Sequence, residues 1–368
     1  MIQNINNNNS FKPDKTHSID NQSNLQRFRF IDIGSNLGDP IFRGIYYNKQ
    51  VHKDDFSMVL KRAETFGVFK QILTGDSLSG SNEVIGLSKK YHGLYATVGC
   101  HPCKAYEFES GPIDRELSIR VDDYFNGLEK LIEDDRSSNS NRVVAIGECG
   151  LDYDRLSYCS KELQLRYFSP QLKLAKKYKL PLFLHSRTPE AHKDLVKILR
   201  EFRLTLSVEE SLPIRKRGVI HSFTGSMKEM EELVELGYSI GINGCSLKTE
   251  ENLNVVRAIP LDRLMLETDC PWCEIRPSHA SHRFLKDLLN QEVELSRFMI
   301  KSVKKERKQQ EDEKTKDDDE KGMTMVKGRN EPCTMFQVAY VVSRVKDLSL
   351  DDIVVAAWNN TVEMFNVS

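Results

Sequence analysis

No apolar run of 18 residues occurs along the chain, and no short apolar stretch follows a basic start, so the sequence offers neither a membrane span nor a secretory leader. An excess of one charge is also missing. Lys and Arg number 53 against 54 Asp and Glu, a formal net charge of −1, so any contact with a polyanion has to be local. Trp is scarce, with two in 368 residues, which limits base stacking on that side chain. The G-x-x-x-x-G-K-[ST] phosphate loop is absent, which argues against a P-loop nucleotide hydrolase. Eight Cys without a leader point to reduced thiols and to a soluble protein of the cytoplasm, the nucleus or both. Residues 1–27 are Asn-rich and polar and read as a disordered leader, leaving 28–368 as a single domain.

What is present is a repeating unit. Val143-Val144-Ala145-Ile146-Gly147-Glu148-Cys149-Gly150-Leu151-Asp152 is an apolar run that ends in an acid between glycines, the pattern of a buried strand with Glu148 where it runs out. Similar strands are expected at 28–34, 68–75, 94–99, 180–184, 218–220, 238–242 and 264–269. Helical patterns fall at about 52–66, 82–91, 120–134, 161–179, 189–203 and 226–236, with two more near 333–345 and 350–364. Eight strands alternating with helices predict an α/β fold, a (β/α)8 TIM barrel.

In such a barrel, residues at the carboxyl ends of the strands meet at one rim. Glu148, His185, His221 and Asp269 stand at four such ends, on strands four, five, six and eight. Two imidazoles and two carboxylates compensate a divalent cation and leave positions for water and substrate. A cation so held lowers the pKa of a bound water and polarises a phosphoryl or carbonyl oxygen. His101, after the third strand, is a candidate phosphate donor, and Arg187 a bidentate phosphate grip. Asn36 closes the first strand in the turn Gly34-Ser35-Asn36. Glu267 shares a face with Asp269 only if the eighth strand runs through both.

Other patterns carry less. Cys100-His101-Pro102-Cys103 and Cys270-Pro271-Trp272-Cys273 are both C-x-x-C, but neither stands in a thioredoxin-like unit, and each abuts a site candidate. Arg215-Lys216-Arg217 reads as a solvated loop, and residues 301–322, almost wholly charged, as an exposed and mobile insertion. The Glu331-Pro332 pair suits a helix start.

Taken together, seven blocks resemble the TatD-type deoxyribonucleases, metal-dependent barrels related to amidohydrolases, and in particular their eukaryotic branch. The blocks are Asp32-Ile33-Gly34-Ser35-Asn36-Leu37, Val98-Gly99-Cys100-His101-Pro102, Ala145 through Asp152, Leu184-His185-Ser186-Arg187, His221-Ser222-Phe223-Thr224-Gly225, Glu267-Thr268-Asp269-Cys270-Pro271-Trp272 and Arg329-Asn330-Glu331-Pro332. The resemblance implies a DNA-cleaving exonuclease that uses one or two divalent cations, Mg2+, Mn2+ or Zn2+, and no obligate protein partner is evident in the sequence. It implies that Glu148 bridges two cation positions, that His185 and His221 serve one, and that Asp269 serves the other or acts as a base. His101, Arg187 and Asn36 are expected to hold substrate. Many amidohydrolases carry His-x-His on the first strand. Here Gly34-Ser35-Asn36 stands in that region, which leaves the second cation position short of ligands. Two rival readings are a hydrolase of small amides or esters and a catalytically idle barrel that binds partners through 301–322.

Overall fold

The computed structural model describes residues 27–112, 114–315 and 322–367. Eight parallel strands form one sheet in chain order: β1 Phe30–Ser35, β2 Val68–Leu73, β3 Leu94–Val98, β4 Val143–Asp152, β5 Leu182–Arg187, β6 Gly218–Ile220, β7 Ser239–Ile242 and β8 Leu264–Leu266. A bridge between Ser35 and Cys270 closes the ring, with Asp269 N donating to Gly34 O at 2.8 Å and Asn36 N to Cys270 O at 2.9 Å. Asp32 adds a side-chain clasp by accepting from Thr268 N at 2.9 Å and Thr268 Oγ1 at 2.5 Å. Burial pushes its carboxyl up to about 8, against the Thr268 bonds. The expected TIM barrel is the observed one.

Parallel neighbours need crossovers, and helices supply them: α1 Phe56–Thr65, α2 Leu78–Lys90, α3 Leu117–Ser137, α4 Lys161–Tyr178, α5 Pro189–Leu204, α6 Met227–Glu235 and α7 Glu250–Ala258. Ser77, Ser160, Thr188, Ser226 and Thr249 each accept a backbone N–H three residues on, a cap of about 1 kcal/mol apiece. Helix α7 and the later α8, His282–Gln291, were not among the expected elements. The chain ends in α9, Met335–Lys346, and α10, Leu350–Phe365.

Inside the ring, Ile31, Ile33, Ile72, Val144, Phe183, Val219 and Met265 pack with Met364, Phe365 and Val367 from the end of the chain. Lys70 Nζ, near the start of β2, donates to Val367 O at 3.0 Å, so the last helix stops the barrel at the strands' amino ends. Chemistry is left to the opposite rim.

The charged stretch 301–322 departs from expectation in its described part. Ser302–Val303 pairs in parallel with Met325–Val326, and a short helix runs from Lys308 to Lys314. Lys308 is buried, its Nζ 2.6 Å from Asp312 Oδ1. The order arises because the segment docks against a buried ion network instead of needing an apolar face of its own. In that network Arg62 and Arg329 fork onto Asp55 and Glu331. Residues 316–321 and 1–26, the latter nearly all of the expected leader, lie outside the described residues. The 215–217 cluster is tied down as well, with Arg215 paired to Asp262 at 2.9 Å and Arg217 donating to Leu236 O at 2.7 Å.

Candidate metal centre

Strand β4 does not end at Glu148. It continues to Asp152, but its register against β5 jumps from Ile146 beside Leu182 to Cys149 beside Leu184. The extra residue on β4 is a bulge, a feature that re-aims a side chain within a strand. Glycine makes it possible: Gly147 has φ 147°, and a Cβ there would lie 2.1 Å from Phe183 O. Glu148 is thereby turned into the mouth, its N–H donating to Gly75 O at 2.7 Å. Strand β5 also overruns expectation, ending at Arg187 with His185 inside it.

Three imidazoles converge on one oxygen. Glu148 Oε1 lies 2.8 Å from His185 Nδ1, 2.8 Å from His221 Nε2 and 3.5 Å from His101 Nε2. Glu148, His185 and His221 are buried. The far nitrogens of two rings meet carboxylates: His185 Nε2 is 3.1 Å from Asp152 Oδ2, and His221 Nδ1 is 3.4 Å from Glu267 Oε2. Carboxylates behind ligand imidazoles fix ring orientation and tautomer.

These partners assign the protons. With Nε2–H directed at Asp152, His185 Nδ1 presents a lone pair to Glu148, and it has no hydrogen-bond partner among the described residues. Two lone-pair atoms facing each other at 2.8 Å repel unless a cation joins them, so the pair fits a divalent cation placed between Glu148 and His185, in a cluster whose ligand atoms with His101 lie within 4.8 Å of one another. His101 differs. Its Nδ1 accepts the Cys103 N–H at 3.0 Å, so its proton sits on Nε2 and faces the mouth as a donor.

Charge runs the same way. Burial pushes the Glu148 carboxyl up, but the charges of His221 and His101 outweigh it and hold the group well below the usual carboxylate range. Burial lowers His221, yet Glu148 and Glu267 raise it well above an ordinary imidazole. Burial lowers His101 to about 4, with Glu148 only partly opposing.

Asp269 sits across the mouth, accepting from Asn36 Nδ2 at 3.0 Å, Cys273 Sγ at 3.2 Å and Ser222 Oγ at 3.4 Å. Burial raises its carboxyl, joined by Glu267 and Glu148 against His221. Arg187 spends part of its fork locally, donating to Ser222 O at 3.1 Å and Thr224 Oγ1 at 2.5 Å. Thr188, Ser222 and Asp269, each close behind its strand, have positive φ (84°, 50° and 50°), backbone cost of the kind that gathers at functional rims.

The sequence had singled out seven residues, and the structure brings Glu148, His185, His221 and His101 into one cluster and Asn36 onto Asp269. It missed Asp152 as the partner of His185 and left Glu267 undecided. Strand alternation was the signal available for Asp152, and the bulge at 147–148 scrambles it on β4; β8 stops at Leu266, short of the expected 264–269, so alternation does not reach Glu267. Two motifs lead elsewhere. Cys100 and Cys270 are fully buried, with thiols pushed up by burial. Gly237-Tyr238-Ser239-Ile240-Gly241 fits the G-x-S-x-G pattern of serine hydrolases, but Ser239 is buried within β7 instead of on a strand-to-helix turn.

The closed parallel barrel with histidines and carboxylates at its strand ends defines a barrel hydrolase with a candidate metal centre at its mouth. A family model described as TatD related DNase matches residues 44–366, and the chain belongs to that family. The deoxyribonuclease Tat-D of Schizosaccharomyces pombe is 44% identical over 349 residues, covering 94% of this chain and 98% of the relative. A 3'-5' ssDNA/RNA exonuclease TatD of Erwinia amylovora is 34% identical over 259 residues, 68% of this chain and 85% of its own. The crystal structure of an uncharacterized amidohydrolase from Saccharomyces cerevisiae superposes with a TM-score of 0.75 at 36% identity, over 92% of this chain and 100% of that one.

Proposed function

We propose that the protein is a divalent-cation-dependent deoxyribonuclease that hydrolyses DNA phosphodiester bonds as an exonuclease. The observation that carries the reading is the partnerless Nδ1 of buried His185, 2.8 Å from Glu148 Oε1. Glu148, His185 and His221 would hold the cation, Mg2+, Mn2+ or Zn2+, and Glu148 and Asp269 would serve a second, leaner position. The cation supplies Lewis-acid polarisation of the phosphoryl oxygen and acidifies water.

The chain's own groups do the rest. Asp152 and Glu267 keep the two imidazoles in register with Glu148. His101 Nε2–H donates to a phosphate oxygen, and Arg187, anchored by Ser222 and Thr224, offers its guanidinium to the same charge as it develops. Asp269, steered by Asn36, receives the proton that leaves the attacking water. The names of the fission-yeast and bacterial relatives support DNA as substrate and an exonucleolytic mode.

Eight free cysteines suit a reducing compartment, the cytoplasm or nucleus. Among the described residues no helix is long and apolar enough to cross a membrane. The test is turnover of end-labelled single-stranded DNA, duplex DNA, RNA and an ester panel with each cation. The reading expects DNA to be shortened stepwise from an end and fastest of the set. Faster ester turnover with no DNA cleavage would replace it with the small-ester reading.

A further inference from the structure

Beside the metal centre lies a cavity of about 480 Å³ that the chemistry above does not use. Its walls are the hairpin that carries Tyr46 and Tyr47 and the two segments that carry Lys304, Lys305 and Lys327. The structure assigns this groove to a single-stranded polynucleotide, held by tyrosine faces and lysine ammonium groups as it runs to the scissile bond. The assignment rests on the deoxyribonuclease reading and adds to it where the strand lies.

Tyr47 is the first ground. It is 93% exposed at the tip of a two-residue turn joining Ile45–Tyr46 to Lys49–Gln50. Both turn residues are left-handed, Tyr47 at φ 51° and Asn48 at φ 60°. Such a turn favours Asn or Gly at both places, and a bulky aromatic there is an outlier with a backbone cost. An exposed ring kept at a position that disfavours it has no packing return, and a stacked base would give it one.

Charge is the second. Among the described residues, Lys304, Lys305 and Lys327 have no carboxylate partner. Lys305 Nζ stands 4.6 Å from the Tyr46 ring centre and 5.6 Å from that of Tyr47, so ammonium and rings already form one surface. The acids of the groove are Asp39, whose carboxylate accepts the Ile41 N–H at 2.9 Å, and Glu306. Three ammonium groups without a carboxylate partner among the described residues, on a chain of net charge −1, make the local polyanion contact that the composition requires.

Continuity is the third. Asp39 N donates to Asn36 O at 3.0 Å, and Asn36 Nδ2 donates to Asp269 Oδ1 at 3.0 Å. The groove therefore starts three residues from the metal centre along the same loop, on the same rim. Stacking surfaces and backbone-directed cations suit a strand irrespective of sequence.

The test uses the full chain with an active cation and two labelled single strands, of roughly 20 and roughly 4 nucleotides, chosen to exceed and to fall short of such a site. Tyr47→Asn should raise KM for the long strand about tenfold with kcat unchanged, and leave the short strand unaffected. Because Asn suits the turn, its Tm should hold or rise, and Tyr47→Phe should keep the wild-type KM. Replacing Lys304, Lys305 and Lys327 by Ala should flatten the salt dependence of log KM by about 0.7 per lysine. Equal long-strand KM for wild type and Tyr47→Asn, or an equal rise on both strands, overturns the groove while the nuclease reading stands. A wild type that cleaves no DNA with any cation overturns both.

Discussion

The network of Asp55, Arg62, Arg329 and Glu331 and the cluster of Glu148, His185, His221, Asp152 and Glu267 are both buried sets of charge, and they are finished differently. In the first, two guanidinium groups meet two carboxylates, and all four carboxylate oxygens accept charge-assisted bonds, from Arg329 Nη1 on Asp55 Oδ1 at 2.8 Å to Arg62 Nε on Glu331 Oε2 at 2.7 Å. Among the described residues only Arg329 Nε is left without a partner there. In the second, His185 Nδ1, His221 Nδ1 and Glu267 Oε2 have no hydrogen-bond partner among the described residues, though the last two stand 3.4 Å apart, and the acids meet no guanidinium nearer than exposed Arg155, 4.0 Å from Asp152. A charge-matched network with satisfied oxygens holds parts together. A cluster rich in acid and lone pairs suits a cation from outside, as proposed.

The comparison can be broken first at Glu148. Glu148→Gln should lower DNA cleavage by about a thousandfold or more, since it removes the negative charge on which three imidazoles converge, while circular dichroism stays that of the wild type. Arg329→Met should do the reverse: lose about 3–5 kcal/mol of stability in a denaturant titration by stranding Asp55 and Glu331, with kcat per folded molecule unchanged. If Arg329→Met spared stability and abolished cleavage, the division between the two clusters would be wrong.

Smaller effects sharpen it. Asp152→Asn, which touches His185 and not the substrate, should weaken cation affinity about 10- to 100-fold, and saturating cation should restore most of kcat. The pH dependence of stability belongs to the ion network. Burial pushes Asp55 up, and Arg329 and Arg62 more than reverse this and hold it at about 2, below its ordinary 3.8. Glu331, raised by burial and lowered by Arg62 and Arg329, is also depressed. A depressed carboxylate stabilises the fold above its unfolded pKa, and that stability is lost as pH falls through the folded one. Unfolding titrations should therefore show about 2 kcal/mol from Asp55 alone disappearing between about pH 4 and pH 2. Arg329→Met should lack most of that step.

How far the sequence reaches differs between the two clusters for a physical reason. Strand and helix alternation is local, so the barrel and its rim candidates Glu148, His185, His221 and Asp269 were legible. The network was not, because Arg62 meets Glu331 across 269 positions and nothing near either residue marks the other. Its block Arg329-Asn330-Glu331-Pro332 read as a helix start, and the 301–315 segment, mostly exposed as expected, buries Lys308 alone among its described residues. At the rim, the bulge moved Glu148 off the strand end and hid Asp152 behind His185. Helix α7 escaped because its nine residues carry only Leu253, Val255 and Val256 on a buried face, although Thr249 and Asn252 spell its capping box.

The central claim is that the mouth cluster is completed by a cation and the ion network is complete already. Thermal unfolding with and without Mn2+ or Zn2+, for wild type, Glu148→Gln and Arg329→Met, tests it without relying on activity. The account predicts that the cation raises Tm for wild type and for Arg329→Met by similar amounts, and leaves Glu148→Gln unmoved. An equal cation-induced rise in Glu148→Gln would contradict it.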